Sequence, residues 1–377
     1  MKNQQPYPVL IFLFSIGFFG ALLTGCNKTS YGTDECSANQ GMPIANYKPG
    51  GGKTDVTFIA FGDSQLWEPT LRQNDIQVEA LNHFTKALTW GDAGYPELGT
   101  IDDVRGIIMA GDITQNGRDG RGFGNDEYGD FTSRYGLCGN KLVKYHMYEG
   151  YGNHDFYEWN NIAYLPGDHP VADSVAVRNA YRAGLNKTAP GMDGHYSWDW
   201  DNIHFVQLNL APSDLDPNLA KKGLRDPRNA LNFFREYLEE NVKGTKKKVI
   251  LVSHYGPSPT FEWTQPQIDS LCSVITEYSN NMMAYLHGHS HSTNQYNWCN
   301  IPVFNVGSPY YLNYNSDSRG RFTVFRIKEN DDRSLRLVAA DVSWNPKTYT
   351  PGKSETLDLE MKRWRRYPYD STVLPAP

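Results

Sequence analysis

The chain has 377 residues, of which 39% are hydrophobic, and this length suits one large domain or two ordinary ones. Its formal net charge of −6 leaves no electrostatic footprint for nucleic acid, so nucleic acid is not expected as a partner. A small anionic substrate would therefore depend on a local positive centre, such as metal ions.

The N-terminal residues 1–25 have the pattern of a secretion signal. Lys2 is followed by an apolar stretch at 9–23 that has the length of a signal-peptide core and ends in small residues. The sequence Leu-Thr-Gly-Cys at 23–26 then resembles the bacterial lipobox, in which Cys26 is lipidated. An uncleaved anchor helix is the alternative. Both predict that the rest of the chain is extracytoplasmic; the lipobox adds a lipid anchor to a bacterial membrane, in the periplasm or at the cell surface.

The remaining cysteines are interpreted from that compartment. Without Cys26 their number is even, which allows three disulfide pairings under oxidising conditions, and the sequence does not select one. None has the paired two-residue spacing of a zinc knuckle. Disulfides or buried free thiols are therefore expected, rather than metal ligation, at Cys36, Cys138, Cys272 and Cys299.

The sequence predicts one domain between two flanking segments. Residues 26–53 are polar and lack periodicity, so they are interpreted as a tether, and residues 54–344 are the predicted domain. Residues 345–377 are a proline-punctuated C-terminal extension. Its basic aromatic cluster at 362–366 is more typical of a surface strand or tail than of a nucleic-acid site in an acidic protein.

The first part of the domain alternates strand, helix and strand. Apolar β-rich runs at 56–61 and 104–110 flank helical spacing at 75–90, and each run stops at a Gly-Asp pair. In such βαβ units, ligands lie beyond the carboxyl ends of the strands. Asp63 and Asp112 are therefore predicted to lie at that edge of a sheet.

Three later predicted strands also end at residue types that ligate metals. A histidine pair separated by one residue, joined by an asparagine and another histidine from distant loops, indicates one metal site. The strand at 145–151 leads to Asn153, His154 and Asp155. The strand at 248–252 leads to His254, and the strand at 282–286 leads to His289 and His291.

Other segments complete an α/β pattern. An alternating hairpin at 195–208 contains His195 and His204, which are interpreted as structural or surface histidines. The glycine-rich stretch at 113–141 is either a functional loop or an insertion, and its Arg118 and Arg121 either hold substrate phosphate or are solvated. Further helices are predicted at 229–242 and 266–278, and further strands at 301–306, 321–327 and 335–342.

Taken in order, the blocks around Asp63, Asp112, Asn153-His154-Asp155, His254 and His289-Ser290-His291 resemble the calcineurin-like metallophosphoesterase superfamily. That superfamily includes purple acid phosphatases and class III cyclic-nucleotide phosphodiesterases. The resemblance spans residues 56–342. It implies a four-layer α/β/β/α sandwich, in which two mixed sheets are flanked by helices and a dimetal site lies at the C-terminal ends of the strands.

The resemblance also implies a role for each site residue. Asp112 would bridge two divalent ions, whose identity among Mn, Fe and Zn stays open. His154 would be an acid or phosphate-stabilising group oriented by Asp155, because a leaving alkoxide needs a proton. The second ion would be held by Asn153, His254 and His289, and the first by Asp63 and His291.

One position departs from the superfamily pattern, in which the first block is often Asp-x-His. Gln65 occupies the histidine position, and Gln115 occupies the position of the tyrosine that purple acid phosphatases supply. Gln65 is thus a candidate third ligand of the first ion, or it only hydrogen-bonds a metal-bound water or a neighbouring loop.

The predicted function is hydrolysis of a small phosphate ester by metal-activated water. Phosphomonoesters and phosphodiesters both stay open as substrates, as does the oligomeric state. A non-catalytic binding protein with an incomplete first metal site is the competing class. Ser64 and Ser253 lie beside predicted ligands, but neither is in a Gly-x-Ser-x-Gly elbow, which argues against a serine hydrolase.

Overall fold

A computed structural model describes residues 53–120, 125–156, 169–180, 182, 185–189, 193–217, 225–309, 319–363 and 372–374. The predicted signal segment, Cys26, Cys36 and Arg121 lie outside these ranges. In the described part, none of the helices has the length and apolar character needed to cross a membrane.

The described residues form two seven-stranded mixed sheets with helices on their outer faces. The helices are α1 (Leu71–Ala87), α2 (Glu127–Arg134), α3 (Pro170–Ala180), α4 (Ala230–Asn241) and α5 (Gln265–Glu277). The strands are β1 (Asp55–Phe61), β2 (Val104–Met109), β3 (Met147–Glu149), β4 (Leu185–Thr188), β5 (Tyr196–Trp200), β6 (Ile203–Gln207), β7 (Lys248–Ser253), β8 (Met282–His287), β9 (Thr293–Trp298), β10 (Ile301–Val306), β11 (Gly320–Glu329), β12 (Leu335–Asn345), β13 (Asp358–Arg363) and β14 (Thr372–Leu374).

The order of the strands brings the predicted site segments to one edge of each sheet. The first sheet runs β13-β12-β11-β1-β2-β3, with β14 beside β12, and β1, β2 and β3 are parallel. The second runs β4-β5-β6-β7-β8-β10-β9, with β6, β7, β8 and β10 parallel. Parallel strands end at the same edge, so the segments after β1, β2 and β3 are neighbours, as are those after β7 and β8.

Alternation along the strands builds the core in two layers. Phe58 of β1 faces the second sheet, where its ring centroid lies 5.3 Å from that of Phe205 in an edge-to-face contact. Its neighbours Ile59 and Phe61 face outward and join the cluster that includes Phe84 of α1. Burying side chains of this size stabilises the fold by roughly 1.5–3 kcal/mol each before cavity terms. The fold class predicted from the sequence is therefore confirmed.

Several boundaries differ from the predictions for physical reasons. Helix α1 begins at Leu71 rather than at residue 75, because a 3₁₀ turn at Glu68–Thr70 leads directly into it. The segment 113–141, interpreted as either a functional loop or an insertion, contains α2, whose N-terminus is capped by the Asp126 carboxylate accepting from the Gly129 N–H at 2.7 Å. The extension beyond residue 344 contributes β13, which pairs antiparallel with β12.

A disulfide joins Cys272 of α5 to Cys299, in the turn between β9 and β10. Cys138 is disulfide-bonded as well. One pairing that the sequence left open is thus fixed. The bond fastens the hairpin that follows His291 to a helix on the outer face of the second sheet.

Candidate metal centre

Donor side chains from both sheets meet in two groups that share one residue. Asp112, His254 and His289 form one group, and Asp63, Asp112 and His291 form the other. Within each group the three ligand atoms lie within 4.8 Å of one another. A carboxylate has two oxygens, so Asp112 has the chemistry to contact two cations at once. This grouping fits a pair of divalent ions and matches the division of ligands that the family resemblance implies.

The backbone at these residues is held in a strained conformation. Asp63, Gln65, Asp112, His289 and His291 all have positive φ, between 38° and 75°. The left-handed region costs a non-glycine residue about 1–3 kcal/mol, and such residues cluster at functional sites. Backbone hydrogen bonds hold the turns: the Asp63 N–H donates to the Gly111 carbonyl at 2.9 Å, and the Gln65 N–H to the Asp112 carbonyl at 2.9 Å.

His254 has one nitrogen committed to the backbone and the other directed into the centre. Its Nδ1 lies 2.8 Å from the Ala110 carbonyl, which can only accept, so Nδ1 carries a proton. Its Nε2 lies 2.9 Å from Asn153 Oδ1, 3.3 Å from Asp112 Oδ2 and 3.3 Å from His289 Nδ1. Together with His254 Nε2 itself, these atoms make four potential acceptors at close range, so a proton or a cation has to lie between them. Asn153, His254 and His289 are the metal ligands that the resemblance implies for the second ion, and Asp112 is the implied bridging ligand.

The charges of the centre are strongly coupled. Burial by itself lowers the pKa of His254, but the carboxylates of Asp112 and Asp63 outweigh burial and raise it to about 9. Burial opposes ionisation of Asp112 too, yet His254 and His154 hold its pKa below the usual range. Burial, assisted by the charge of Asp112, raises the pKa of Asp63. Two buried carboxylates at close range need positive charge nearby, which divalent cations supply.

His289 and His291 have the protonation state that a ligand requires. Burial, reinforced by the charge of His254, lowers the pKa of His289 to about 3. Burial likewise lowers the pKa of His291 to about 4. Both rings are therefore neutral at neutral pH, with a lone pair available for a metal.

Gln65 lies inside the centre, beside Asp112. Its Nε2 donates to Asp112 Oδ2 at 3.3 Å, and the residue is 2% exposed. Its Oε1 is buried and has no hydrogen-bond partner in the described residues. An unpaired buried acceptor costs about 1–3 kcal/mol, and a cation in the adjoining site would satisfy it. The position therefore fits the candidate-ligand interpretation.

His154 lies outside both groups. Its main-chain N–H donates to Asp112 Oδ1 at 2.8 Å. Its ring Nδ1 lies 2.8 Å from the Gln115 carbonyl, so Nδ1–H donates to that oxygen and Nε2 is left as the free nitrogen.

The expected role of Asp155 in orienting His154 is wrong. The Asp155 carboxylate accepts hydrogen bonds from the main-chain N–H groups of Gly152 at 2.8 Å, Thr114 at 2.8 Å and Ile113 at 3.1 Å. Burial and the charge of Asp112 raise its pKa to about 6. Asp155 thus ties the Asn153 turn to the segment after Asp112. A backbone carbonyl, that of Gln115, orients His154, and no sequence signal reports such a role.

Other candidates lie outside the groups. His195 Nε2 bonds to the Arg228 carbonyl at 2.9 Å and His204 Nδ1 lies 3.0 Å from the Tyr237 hydroxyl, so both are structural as predicted. Arg118 Nε is buried, which disagrees with a solvated side chain. The hydroxyls of Ser64 and Ser253 bond to backbone carbonyls at 2.8 and 2.9 Å, so neither is poised as a nucleophile.

One known protein family matches this sequence. The profile of the calcineurin-like phosphoesterase family matches residues 56–293. No curated protein matches the sequence significantly. Among solved structures, PhoD aligns with 87% of this chain and 73% of its own, with a TM-score of 0.50 and 10% identity.

Two further phosphatases are similar in structure. A dimetal phosphatase from Danio rerio covers 85% of this chain and 99% of its own, with a TM-score of 0.49 and 11% identity. A purple acid phosphatase from yellow lupin seeds covers 77% of this chain and 52% of its own, with a TM-score of 0.43 and 12% identity. Such identities speak to the fold alone. The family match supports metal-dependent phosphoester hydrolysis in general terms, and it extends over more than half of the sequence. The chain therefore belongs to the calcineurin-like phosphoesterase family.

Proposed function

We propose that this protein hydrolyses a small phosphate ester at a centre of two divalent ions. The observation that carries the proposal is the sharing of Asp112 between two groups of buried donors. When bound, such a pair of ions holds the phosphoryl group and lowers the pKa of a water for in-line attack. Ser64 and Ser253 are engaged with the backbone, which favours direct hydrolysis over a serine intermediate.

Each side chain of the centre has a separate proposed role. Asp112 is the shared ligand; Asn153, His254 and His289 complete one site, and Asp63, His291 and Gln65 the other. His154 is the proton donor to the leaving oxygen in its imidazolium form: Nδ1–H stays bonded to the Gln115 carbonyl, and the Nε2 proton is the one transferred. General acid catalysis of this kind contributes about 10²–10⁴ in rate.

Gln65 also bears on which ions are used. An amide oxygen is a harder donor than imidazole, and both are neutral, so Gln65 shifts the first site from zinc toward manganese without changing its charge. The unpaired buried Oε1 supports this assignment. We propose manganese as the activating ion of that site.

The proposed location is extracytoplasmic, with Cys26 carrying a lipid that anchors the protein to a bacterial membrane. The apolar stretch and lipobox-like sequence ending at Cys26 support this proposal. The disulfide between Cys272 and Cys299 is consistent with an oxidising compartment.

Metal analysis combined with a panel of aryl phosphate monoesters and diesters tests the function. We expect fewer than two ions per chain in protein purified without added metal, activity raised more by manganese than by zinc, and a preference for one ester class that identifies the reaction. Asp112→Asn removes the shared carboxylate and should abolish hydrolysis. Asp102→Asn is its control, because Asp102 is an exposed aspartate before β2. Full metal content without hydrolysis of any ester would instead indicate the binding-protein alternative.

A further inference from the structure

We propose that Asn209 is a positioning residue that holds the Asn153 and His254 loops at ligand spacing. Asn209 lies outside both donor groups and follows β6 in the second sheet. This role rests on the proposed metal centre, and it concerns how that centre is assembled.

Asn209 bonds to one ligand-bearing segment from each sheet. Its Oδ1 accepts from the Tyr151 N–H at 3.2 Å, two residues before Asn153 on the segment that leaves β3. Its main-chain carbonyl accepts from the N–H of His254 at 2.6 Å, at the end of β7. Asn209 is completely buried and has a φ of 55°. A single residue in a strained conformation therefore joins the two loops whose side chains meet at His254 Nε2.

His195 fixes the orientation of the Asn209 amide. Asn209 Nδ2 lies 3.1 Å from His195 Nδ1, and His195 Nε2 lies 2.9 Å from the Arg228 carbonyl. Since that carbonyl only accepts, Nε2 carries the proton and Nδ1 accepts from the amide. The amide oxygen must then face Tyr151. The bond to His195 thus prevents the Asn209 amide from rotating, and this keeps Oδ1 in its hydrogen bond with the Tyr151 N–H.

The space around these bonds leaves little room for movement. A Cβ on Gly150 would overlap the Gln207 amide, and a Cβ on Gly152 would overlap the Asp112 carboxylate. The chain from Gly150 to Gly152 therefore runs in direct contact with side chains of both sheets. Loss of the Asn209 amide would leave the buried Tyr151 N–H unpaired and release the turn that carries Asn153.

The other donor group is held by different bonds. The Asp63 carbonyl accepts from Ser308 Oγ at 2.8 Å, and the Asp63 N–H donates to the Gly111 carbonyl at 2.9 Å. Neither bond involves Asn209. Removing the Asn209 side chain should therefore weaken one of the two metal sites and spare the other, which a general loss of stability would not do.

The test is metal titration of the purified, metal-stripped protein with Mn²⁺, read by calorimetry and by electron paramagnetic resonance. We expect Asn209→Ala to weaken one of two sites by about 10–100-fold, the usual effect of removing a partner that orients a ligand. Comparison with His289→Ala, which removes a ligand of the affected group, identifies that site. His195→Ala should act in the same direction, and His195→Asn should restore affinity because its side-chain oxygen replaces Nδ1 as the acceptor.

His204→Ala is the matched control, because His204 is the second buried histidine of the same hairpin and its partners are Tyr237 and Asp199 instead. It should leave both affinities unchanged. If Asn209→Ala does not fold, the pair His195→Ala and His195→Asn decides. Unchanged affinities, or equal losses at both sites, would overturn the role of Asn209 alone. Wild-type protein that binds no ion would overturn the metal centre as well.

Discussion

The main-chain N–H of His289 donates to both carboxylate oxygens of Asp63 at 3.0 Å, although 226 positions separate the two residues. Asp63 follows β1 of the first sheet and His289 follows β8 of the second. Because the bond ties a donor of one metal group to a donor of the other, the centre depends on how the two sheets pack. We expect substitutions at the centre to have two kinds of effect. Those that remove a metal ligand should lower metal content, and those that remove a catalytic side chain should lower the rate while metal stays bound.

Asp112 and His154 should separate in this way. Asp112→Asn removes the charge that both groups share, so we expect loss of bound metal and of hydrolysis. His154→Ala leaves every proposed ligand in place, so metal content should persist while the rate falls by about 10²–10⁴, most for esters with poor leaving groups. Metal analysis and steady-state kinetics on the same preparations check this. Loss of metal from His154→Ala but not from Asp112→Asn would reverse the assignment.

Gln65 should set the affinity of the first site. Gln65→His supplies a softer donor, so we expect tighter binding there and less dependence on added manganese. Gln65→Ala should weaken the same site. Gln77→Ala is a matched control, since Gln77 is a buried glutamine of α1 that bonds to Trp344. First-site affinities that are indistinguishable between wild type and Gln65→Ala would exclude Gln65 as a ligand.

The sequence predicts the fold and the donor set because both depend on local patterns. Short apolar β-rich runs predict the strands, and polar residues directly after them mark the edge of the sheet, which identifies Asp63, Asp112 and His254. Roles set by nonlocal or backbone contacts were missed. The Gln115 carbonyl that holds His154 is a backbone group, so no side chain in the sequence indicates it. The sequence favours Asp155 as the partner of the neighbouring His154 ring, but the Asp155 carboxylate accepts from backbone N–H groups. Asn209 and His195 likewise meet only after the hairpin closes.

Cys26→Ser tests the anchor. With the lipidated thiol removed, we expect the protein to leave the membrane fraction or to accumulate unprocessed, since attachment would depend on the acyl chains. Fractionation and intact mass of the cellular protein measure this. Cys272→Ser, which removes a disulfide instead, serves as a control for general effects of cysteine loss. Unchanged fractionation and mass for Cys26→Ser would contradict the lipoprotein assignment.

His195 should make the fold sensitive to acid. Burial lowers the pKa of His195 to about 4, below the ordinary value of 6.5. Between these values the unfolded chain binds a proton that the folded chain does not, so the contribution to stability is present above pH 6.5 and is lost as the pH falls toward 4. From about pH 7 to pH 5 the free energy of unfolding should fall by about 2 kcal/mol through this proton uptake.

Urea unfolding of metal-stripped wild type and His195→Asn at both pH values measures this change in the free energy of unfolding. His289 and His291 titrate in the same direction in both proteins, so the difference between the two slopes isolates His195. Equal slopes would show that the imidazole of His195 does not carry this dependence.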